Sequence, residues 1–299
     1  MSSSPTHFEY AYLHALRDIL ETGERRESRN ATTISKFGVK LDFDIREHFP
    51  LLTTKQMYWK GIAHELLWFL RADTNSKHLE DQKVNIWKPN SSREYLDSIG
   101  LHHYPEGTCG PIYGFQWRNF GATYQGADIN YATQADQGVD QLAECIRQIR
   151  EDPHSRRIFM SAWNPTQLKE MCLPPCHVSY QFYVNASDEL SCMMYQRSGD
   201  MFLGIPFNIA SVALLTHIIA NITEKKVGSI SIVIGDAHIY ESHIDAVKLQ
   251  LSREPKAPCK LHIRTDVDRI RKNPEDFEFE DFSLIDYECY PTIKAEMVA

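Results

Sequence analysis

Residues 178–195 read Val178-Ser179-Tyr180-Gln181-Phe182-Tyr183-Val184, then Asn185-Ala186-Ser187-Asp188, then Glu189-Leu190-Ser191-Cys192-Met193-Met194-Tyr195. The flanking runs are rich in β-branched and aromatic residues and the middle four are turn formers, so the stretch predicts a β-hairpin. Arg157–Ala162 and Ser229–Ile234 are further short runs of this kind. Between the hairpin and the last run lies 204–222, apolar but broken by Asn208, Ser211, Thr216, His217 and Asn221. That pattern predicts a buried helix and not a membrane span. His238–Leu251 predicts another helix. Upstream, Phe8–Glu21, Tyr58–Arg71 and Gln141–Arg150 carry helical spacing, the last ending at Asp152-Pro153 because proline disfavours helix before it. Helices first, then strands mixed with helices, predict an α+β fold on a mostly antiparallel or mixed sheet. No stretch has the composition of a linker, so residues 1–299 read as a single domain.

The chain has 299 residues, 42% of them hydrophobic and 24% charged, which suits one sizeable core. Lys plus Arg number 32 and Asp plus Glu 40, a formal charge of −8. A broad membrane or nucleic-acid surface needs a basic field, so neither is expected as a primary partner. A few clustered arginines can still hold a small anion. Seven dispersed cysteines, an odd number, point to a reduced, cytoplasmic protein, and Met1–Leu16 lacks the basic and apolar blocks of a secretory leader.

Five segments carry residue types suited to chemistry. In Met171-Cys172-Leu173-Pro174-Pro175-Cys176-His177 two prolines stiffen the approach to a strand, so Cys176 is a candidate nucleophile if a nearby cation lowers its pKa. Cys172-x-x-x-Cys176-His177 misses haem-attachment spacing by one residue, and His78-Leu79-Glu80 with these cysteines lacks the Pro-Cys-x-x-Cys of zinc deaminases, so no metal is expected. A Cys176–His177 dyad is disfavoured because strand neighbours point to opposite faces. Ser155-Arg156-Arg157 at a strand entry suits a bidentate phosphate clamp. Tyr195–Asn208 reads as a strand end, a polar turn with Gln196, Arg197, Ser198 and Asp200, then the buried helix. The Asn208 carboxamide offers a donor and an acceptor side by side, matching the adjacent carbonyl and N–H of a uracil. His238 and Tyr240 face one way on extended backbone and suit sugar hydroxyls. Glu65, amid Leu66-Leu67-Trp68-Phe69, is a carboxylate that burial would tune for proton transfer.

Taken together, these segments resemble the thymidylate synthase family. The resemblance runs from Phe8 to the tail Pro291–Ala299 and includes Phe49–Lys55, Glu65–Phe69, Gly110–Arg118, Leu173–His177, Tyr195–Asn208 and Gly235–Tyr240, in family order. It implies a three-layer α/β arrangement with a six-stranded mixed sheet and flanking helices, paired sheet to sheet in a homodimer. It also implies reductive methylation of dUMP to dTMP, with 5,10-methylenetetrahydrofolate as co-substrate and dihydrofolate as product, and extends the expected compartments to nucleus and mitochondrion. Cys176 would attack C6 of uracil, activated by Arg197. Glu65 would move protons, Asn208 would select uracil, and Tyr113, His177 and Asp200 would complete the polar network. Arg29, Gln196, Arg197 and Ser198 would hold dUMP, with Arg156 and Arg157 reaching in from the other subunit and His238 and Tyr240 on the deoxyribose. Ile86, Trp87, Asn90, Asp200, Leu203, Gly204, Phe207 and Met297 would line the folate site. Lys55 would meet the folate's glutamate end, and the tail ending at Ala299 would close over the ligands.

The chain departs from the family pattern at the phosphate loop, Arg29-Asn30-Ala31-Thr32-Thr33, which is one residue short and lacks glycines. It departs also at Lys88, Gln56, Gly107-Thr108-Cys109-Gly110 and the terminal Ala299. Two alternatives follow, a deoxyuridylate hydroxymethylase of the same superfamily and a catalytically idle nucleotide-binding relative. Trp87 and the tail favour hydride transfer over the first; the full set Cys176, Glu65, Arg197, Asp200 and Asn208 favours an active enzyme over the second.

Overall fold

A computed structural model describes residues 7–28, 31–264 and 271–298. In chain order the elements are α1 (Glu9–Thr22), β1 (Glu24–Glu27), β2 (Thr32–Asp44), α2 (Trp59–Leu70), α3 (Ser76–Asp81), α4 (Lys88–Ser91), α5 (Arg93–Ser98) and α6 (Tyr113–Asn119). Then follow α7 (Gln141–Glu151), β3 (Phe159–Ser161), β4 (His177–Val184), β5 (Glu189–Asp200), α8 (Gly204–Ile222), β6 (Lys226–Tyr240), α9 (Ile244–Leu251), β7 (Lys260–Ile263) and β8 (Phe282–Ile285). Six strands form one sheet in the order β1-β2-β6-β5-β4-β3, and β7 pairs with β8 apart from it. In the large sheet β5 and β6 run parallel, joined through α8, and the other pairs are antiparallel. This is the α+β class with a mixed sheet and flanking helices expected from the sequence.

The core explains why α8 is apolar on nearly all sides. Ile205, Ile209, Leu214 and Ile218 are all fully buried, against β5, β6 and α2. Burying one such side chain contributes about 1.5–3 kcal/mol. Among the described residues α8 is the one helix long and apolar enough to cross a membrane, and it lies inside the protein. Across the sheet, Leu41, Ile232, Met194, Tyr180 and Met160 sit side by side in one buried row. The adjacent row, Asp42, Ser231, Met193, Gln181 and Phe159, points the other way, to the opposite face of the sheet. That face exposes Phe159, Tyr183, Met193 and Tyr195.

A change of phase in the sheet prepares the site. In β6 the buried apolar residues are Ile230, Ile232 and Ile234, then Ala237 and Ile239, so the alternation slips by one at Gly235. A Cβ at Gly235 would lie 2.7 Å from the Arg197 carbonyl. In β2 the facing Gly38 has φ +80°, a conformation that favours glycine. The slip turns Asp236, His238 and Tyr240 off the helix-covered face and into a polar recess.

Several local expectations are corrected. Strand β5 runs to Asp200 where the pattern suggested an end at Tyr195, and His238–Tyr240 belong to β6 rather than to a helix, which begins only at Ile244 after a 3-10 turn over Glu241–His243. The reason is backbone pairing: Ser198 faces Asp236 and Asp200 faces His238, so polar residues there lie on strand. The thirteen-residue β2 was not foreseen, nor were α3 to α6.

Candidate active site

Helix α2 places Glu65 and helix α6 places Tyr113, and the two helices meet closely because of a glycine. A Cβ at Gly114 would lie 2.4 Å from the Phe69 carbonyl. Aromatic rings fill the seam: Phe69 stands 4.8 Å from Tyr113 and 5.6 Å from Trp117, and Trp87 lies 6.1 Å from Tyr113. Within this apolar wall the Trp87 indole N–H donates to Glu65 Oε1 at 2.7 Å. Burial pushes the Glu65 carboxyl up to about 7, with the Trp87 bond pulling the other way. A carboxyl balanced there can both give and take a proton near neutral pH.

The candidate nucleophile is clamped from two sides. Arg197 on β5 donates through Nε to the Pro175 carbonyl (2.8 Å) and through a terminal nitrogen to the Pro174 carbonyl (3.0 Å). Its own backbone N–H donates to the Cys176 carbonyl at 2.9 Å. The Cys176 N–H donates to the Tyr113 hydroxyl at 2.8 Å. Prolines cannot donate, but their carbonyls are strong acceptors, so the Pro-Pro pair fixes the loop by feeding one guanidinium. That guanidinium lies 3.9 Å from Cys176 Sγ. Burial pushes the Cys176 thiol up, and the Arg197 charge draws it back down.

On the floor, Asn208 of α8 faces Gln196 of β5, whose amide donates to Asn208 Oδ1 at 3.1 Å. Gln196 also donates to the Ser198 carbonyl (3.0 Å), so the Asn208 carboxamide is held in one orientation. Gln196 Oε1 is buried and has no hydrogen-bond partner among the described residues. His177 contacts the Tyr180 hydroxyl at 3.2 Å through Nδ1, and burial drives its ring down to about 4, leaving it neutral at pH 7. Cys176 and His177 both border the cavity, since the strand begins only at His177 and is irregular by Ser179. The sequence expectation of opposite faces is corrected to that extent, although no hydrogen bond joins the two side chains among the described residues.

These groups surround one cavity of about 330 Å³. It gathers Glu65, Tyr113, Cys176, His177, Gln196 and Asn208 in its lining. Ser198, Asp200, His238 and Tyr240 line it too, with Asn90 and the apolar or small residues Ile86, Trp87, Leu203, Gly204, Phe207 and Met297. Phe69 and Leu173 also line it; both stand inside quoted motifs, and their plain apolar character gave no signal. A polar recess adjoins, sharing Ser198, His238 and Tyr240 and adding Arg197, Ser28, Thr33, Pro174 and Asp236. Asp236 accepts from Arg26 at 3.1 Å and lies 3.3 Å from His238 Nδ1. The Asp200 carboxylate accepts from the Phe202 N–H at 2.9 Å, which aims the turn into α8.

Lys55 is the residue expected at the folate's glutamate end. It is buried away from the cavity lining, its ammonium donating to the Phe202 carbonyl and lying 3.7 Å from the centroid of the Phe202 ring. Burial pushes it down to about 7 against the pull of Asp200 and Glu9. The cause lies in the Phe49–Lys55 segment, which is drawn under α1: the Thr53 and Thr54 N–H groups donate to the buried Glu9 carboxylate at 2.8 and 2.9 Å. Arg156 and Arg157 are exposed just before β3 and do not border their own chain's cavity. Arg29 and Ala299 lie outside the described residues. Among the described residues no cluster of three His, Cys, Asp or Glu side chains is placed to hold a metal ion.

The chain is similar over almost all its length to known enzymes. The human thymidylate synthase is 50% identical over 294 residues, covering 98% of this chain and 91% of the relative. The Candida albicans thymidylate synthase is 48% identical over 316 aligned residues, covering 99% of each. A maize protein named bifunctional dihydrofolate reductase-thymidylate synthase is 47% identical over 292 residues, which are 97% of this chain and 54% of that protein. The thymidylate synthase family model matches residues 10–299. With identity near one half and alignments that run end to end through the cavity's own segments, this chain belongs to the thymidylate synthase family.

Proposed function

We propose that this protein carries out the reductive methylation of dUMP to dTMP, with 5,10-methylenetetrahydrofolate giving the one-carbon unit and the hydride and leaving as dihydrofolate. The carrying observation is that the Cys176 thiol, steadied by Arg197, and the oriented Asn208 carboxamide open on the same cavity. Asn208 reads the uracil edge. The Cys176 sulfur adds to C6 of the ring, which makes C5 nucleophilic toward the folate methylene. Arg197 opposes burial and favours the thiolate. Glu65, poised near 7, passes protons at the pyrimidine. The nucleotide phosphate belongs in the polar recess beside Arg197 and Ser198, with the deoxyribose on His238 and Tyr240. The folate lies along Ile86, Trp87, Asn90, Leu203 and Phe207 with its pterin at Asp200, and the tail at Met297 covers it and excludes water.

The working form is a homodimer. A second copy covers the open sheet face at Phe159, Tyr183, Met193 and Tyr195, apolar residues that favour burial. Arg156 and Arg157 stand at that face's edge beside β3 and reach the partner's phosphate recess. A cytoplasmic setting suits seven unpaired thiols.

The test is an incubation of the purified protein with dUMP and methylenetetrahydrofolate, weighing the nucleotide and following dihydrofolate absorbance. A methylated nucleotide with equal dihydrofolate is expected. A hydroxymethylated nucleotide without dihydrofolate would overturn the assignment. Cys176→Ala should abolish turnover while dUMP still binds; turnover within tenfold of the parent, roughly the scale of one lost hydrogen bond, would mean another nucleophile.

A further inference from the structure

His243 is fully buried in the 3-10 turn between β6 and α9. Its Nε2 lies 2.7 Å from the backbone carbonyl of Glu296. A carbonyl can only accept, so this nitrogen carries the proton. The other ring nitrogen, Nδ1, is buried, has no hydrogen-bond partner among the described residues and lies 3.9 Å from Asp200 Oδ1. The ring packs between Phe202 and Tyr240, with centroids 5.5 Å away on each side. One imidazole thus touches the segment bearing Asp200, the cavity residue Tyr240 and the tail residue just before Met297. Among the described residues the tail beyond Thr292 makes no other hydrogen bond, and Met297 is 63% exposed. Ile293 is buried in the core and Ala295 packs on it, so among the described residues this ring supplies the polar hold on the tail just before Met297.

We propose that His243 is a positioning residue that latches the C-terminal tail to the folate side of the cavity, its Nε2–H gripping the Glu296 carbonyl while its other edge abuts Asp200. The proposal rests on the reading above, in which the tail covers the folate. A ligand that orders Asp200 and Tyr240 orders the ring between them, and the ordered ring holds the tail. By reciprocity the held tail tightens the folate site.

Reach separates this role from a merely structural one. Gln carries its amide nitrogen out to where Nε2 stands, whereas Asn is too short and leaves its donor beside Asp200. In the full-length protein, tetrahydrofolate is titrated into the dUMP complex by calorimetry. His243→Asn should weaken it roughly tenfold, the scale of one lost buried hydrogen bond, with dUMP affinity held within about twofold; His243→Gln should restore most of the loss. In a chain ending at Ala295, His243→Asn should add less than about twofold, since the partner it acts through is gone. Equal losses for Asn and Gln, or an Asn loss undiminished in the shortened chain, overturn the latch. If shortening alone leaves tetrahydrofolate binding unchanged, the covering-tail reading itself fails. A second readout needs no affinity: with both ligands saturating, carboxypeptidase should trim the tail faster from the Asn variant than from the parent or the Gln variant, and equal rates count against the proposal.

Discussion

Replacing Glu65 by Gln should make the folded protein more stable above pH 7 and leave it little changed near pH 4. The substitution keeps the side-chain volume, and the amide oxygen can still accept from the Trp87 indole that now donates to Glu65 at 2.7 Å. What it removes is a buried charge. Burial holds the Glu65 carboxyl at about 7 in the folded protein against an ordinary 4.5. Between those two values the folded chain binds more protons than the unfolded chain, so stability falls as the pH rises through the interval. The neutral carboxyl imposes no penalty below 4.5, and the penalty is complete once the pH has passed about 7. At about 1.4 kcal/mol per pH unit the whole interval amounts to about 3 kcal/mol. The gap between variant and parent should therefore be about 3 kcal/mol at pH 8 and shrink to about 1 kcal/mol at pH 5. Urea unfolding followed by far-ultraviolet circular dichroism, at one protein concentration and at pH 5, 6, 7 and 8, measures it. A gap that does not change with pH, or one that grows toward acid, would refute the argument that desolvation dominates at Glu65. Turnover should move the opposite way, falling by roughly 10²- to 10⁴-fold with loss of the proton-transfer group. A variant both more stable and nearly inactive at pH 8 is the signature of a carboxylate kept at a cost for chemistry.

Two further outcomes follow from the site and the open sheet face. Asn208→Asp removes the donor that reads the uracil carbonyl, and the Gln196 amide can still hold the new carboxylate. The ratio of kcat/KM for dUMP over dCMP should fall by at least about tenfold, and an unchanged ratio in competition assays would remove Asn208 from base selection. Met193→Arg and Tyr195→Arg together place two charges on the face that exposes Met193 and Tyr195. Sedimentation should then show monomers, with activity lost alongside if Arg156 and Arg157 serve the partner's site; a dimer of undiminished activity would locate the interface elsewhere.

The parts of the fold legible in the sequence are those whose cause is local. Gly204–Ile222 was readable to its ends, because a helix buried on nearly all sides must be apolar, and the polar run Thr223–Lys226 marks where it stops. The hairpin joining β4 and β5 was readable because Asn185–Asp188 can do little but turn. Strand β2 was not. Its outer face carries Lys40, Asp42 and Asp44, Gly38 interrupts it, and it is held by pairing with β6, some two hundred residues on. Polar ends such as Ser198–Asp200 and Asp236–His238 read as turns because hydropathy does not reveal a backbone ladder. At the site, residues whose chemistry is unusual in their surroundings stood out: a cysteine behind two prolines, a glutamate among large apolar residues and an asparagine in an apolar helix.

What the chain alone determined, then, was the set of reactive groups and the class of fold, since both depend on residue type and short-range pattern. Which groups meet was decided by tertiary structure. The slip at Gly235 turned His238 and Tyr240 toward the recess, and the Glu9 carboxylate drew Thr53 and Thr54 inward beside the buried Lys55. His243 gave no signal in the sequence, because a histidine becomes a link between carboxylate and tail only when segments forty and fifty residues away on either side fold against its two nitrogens.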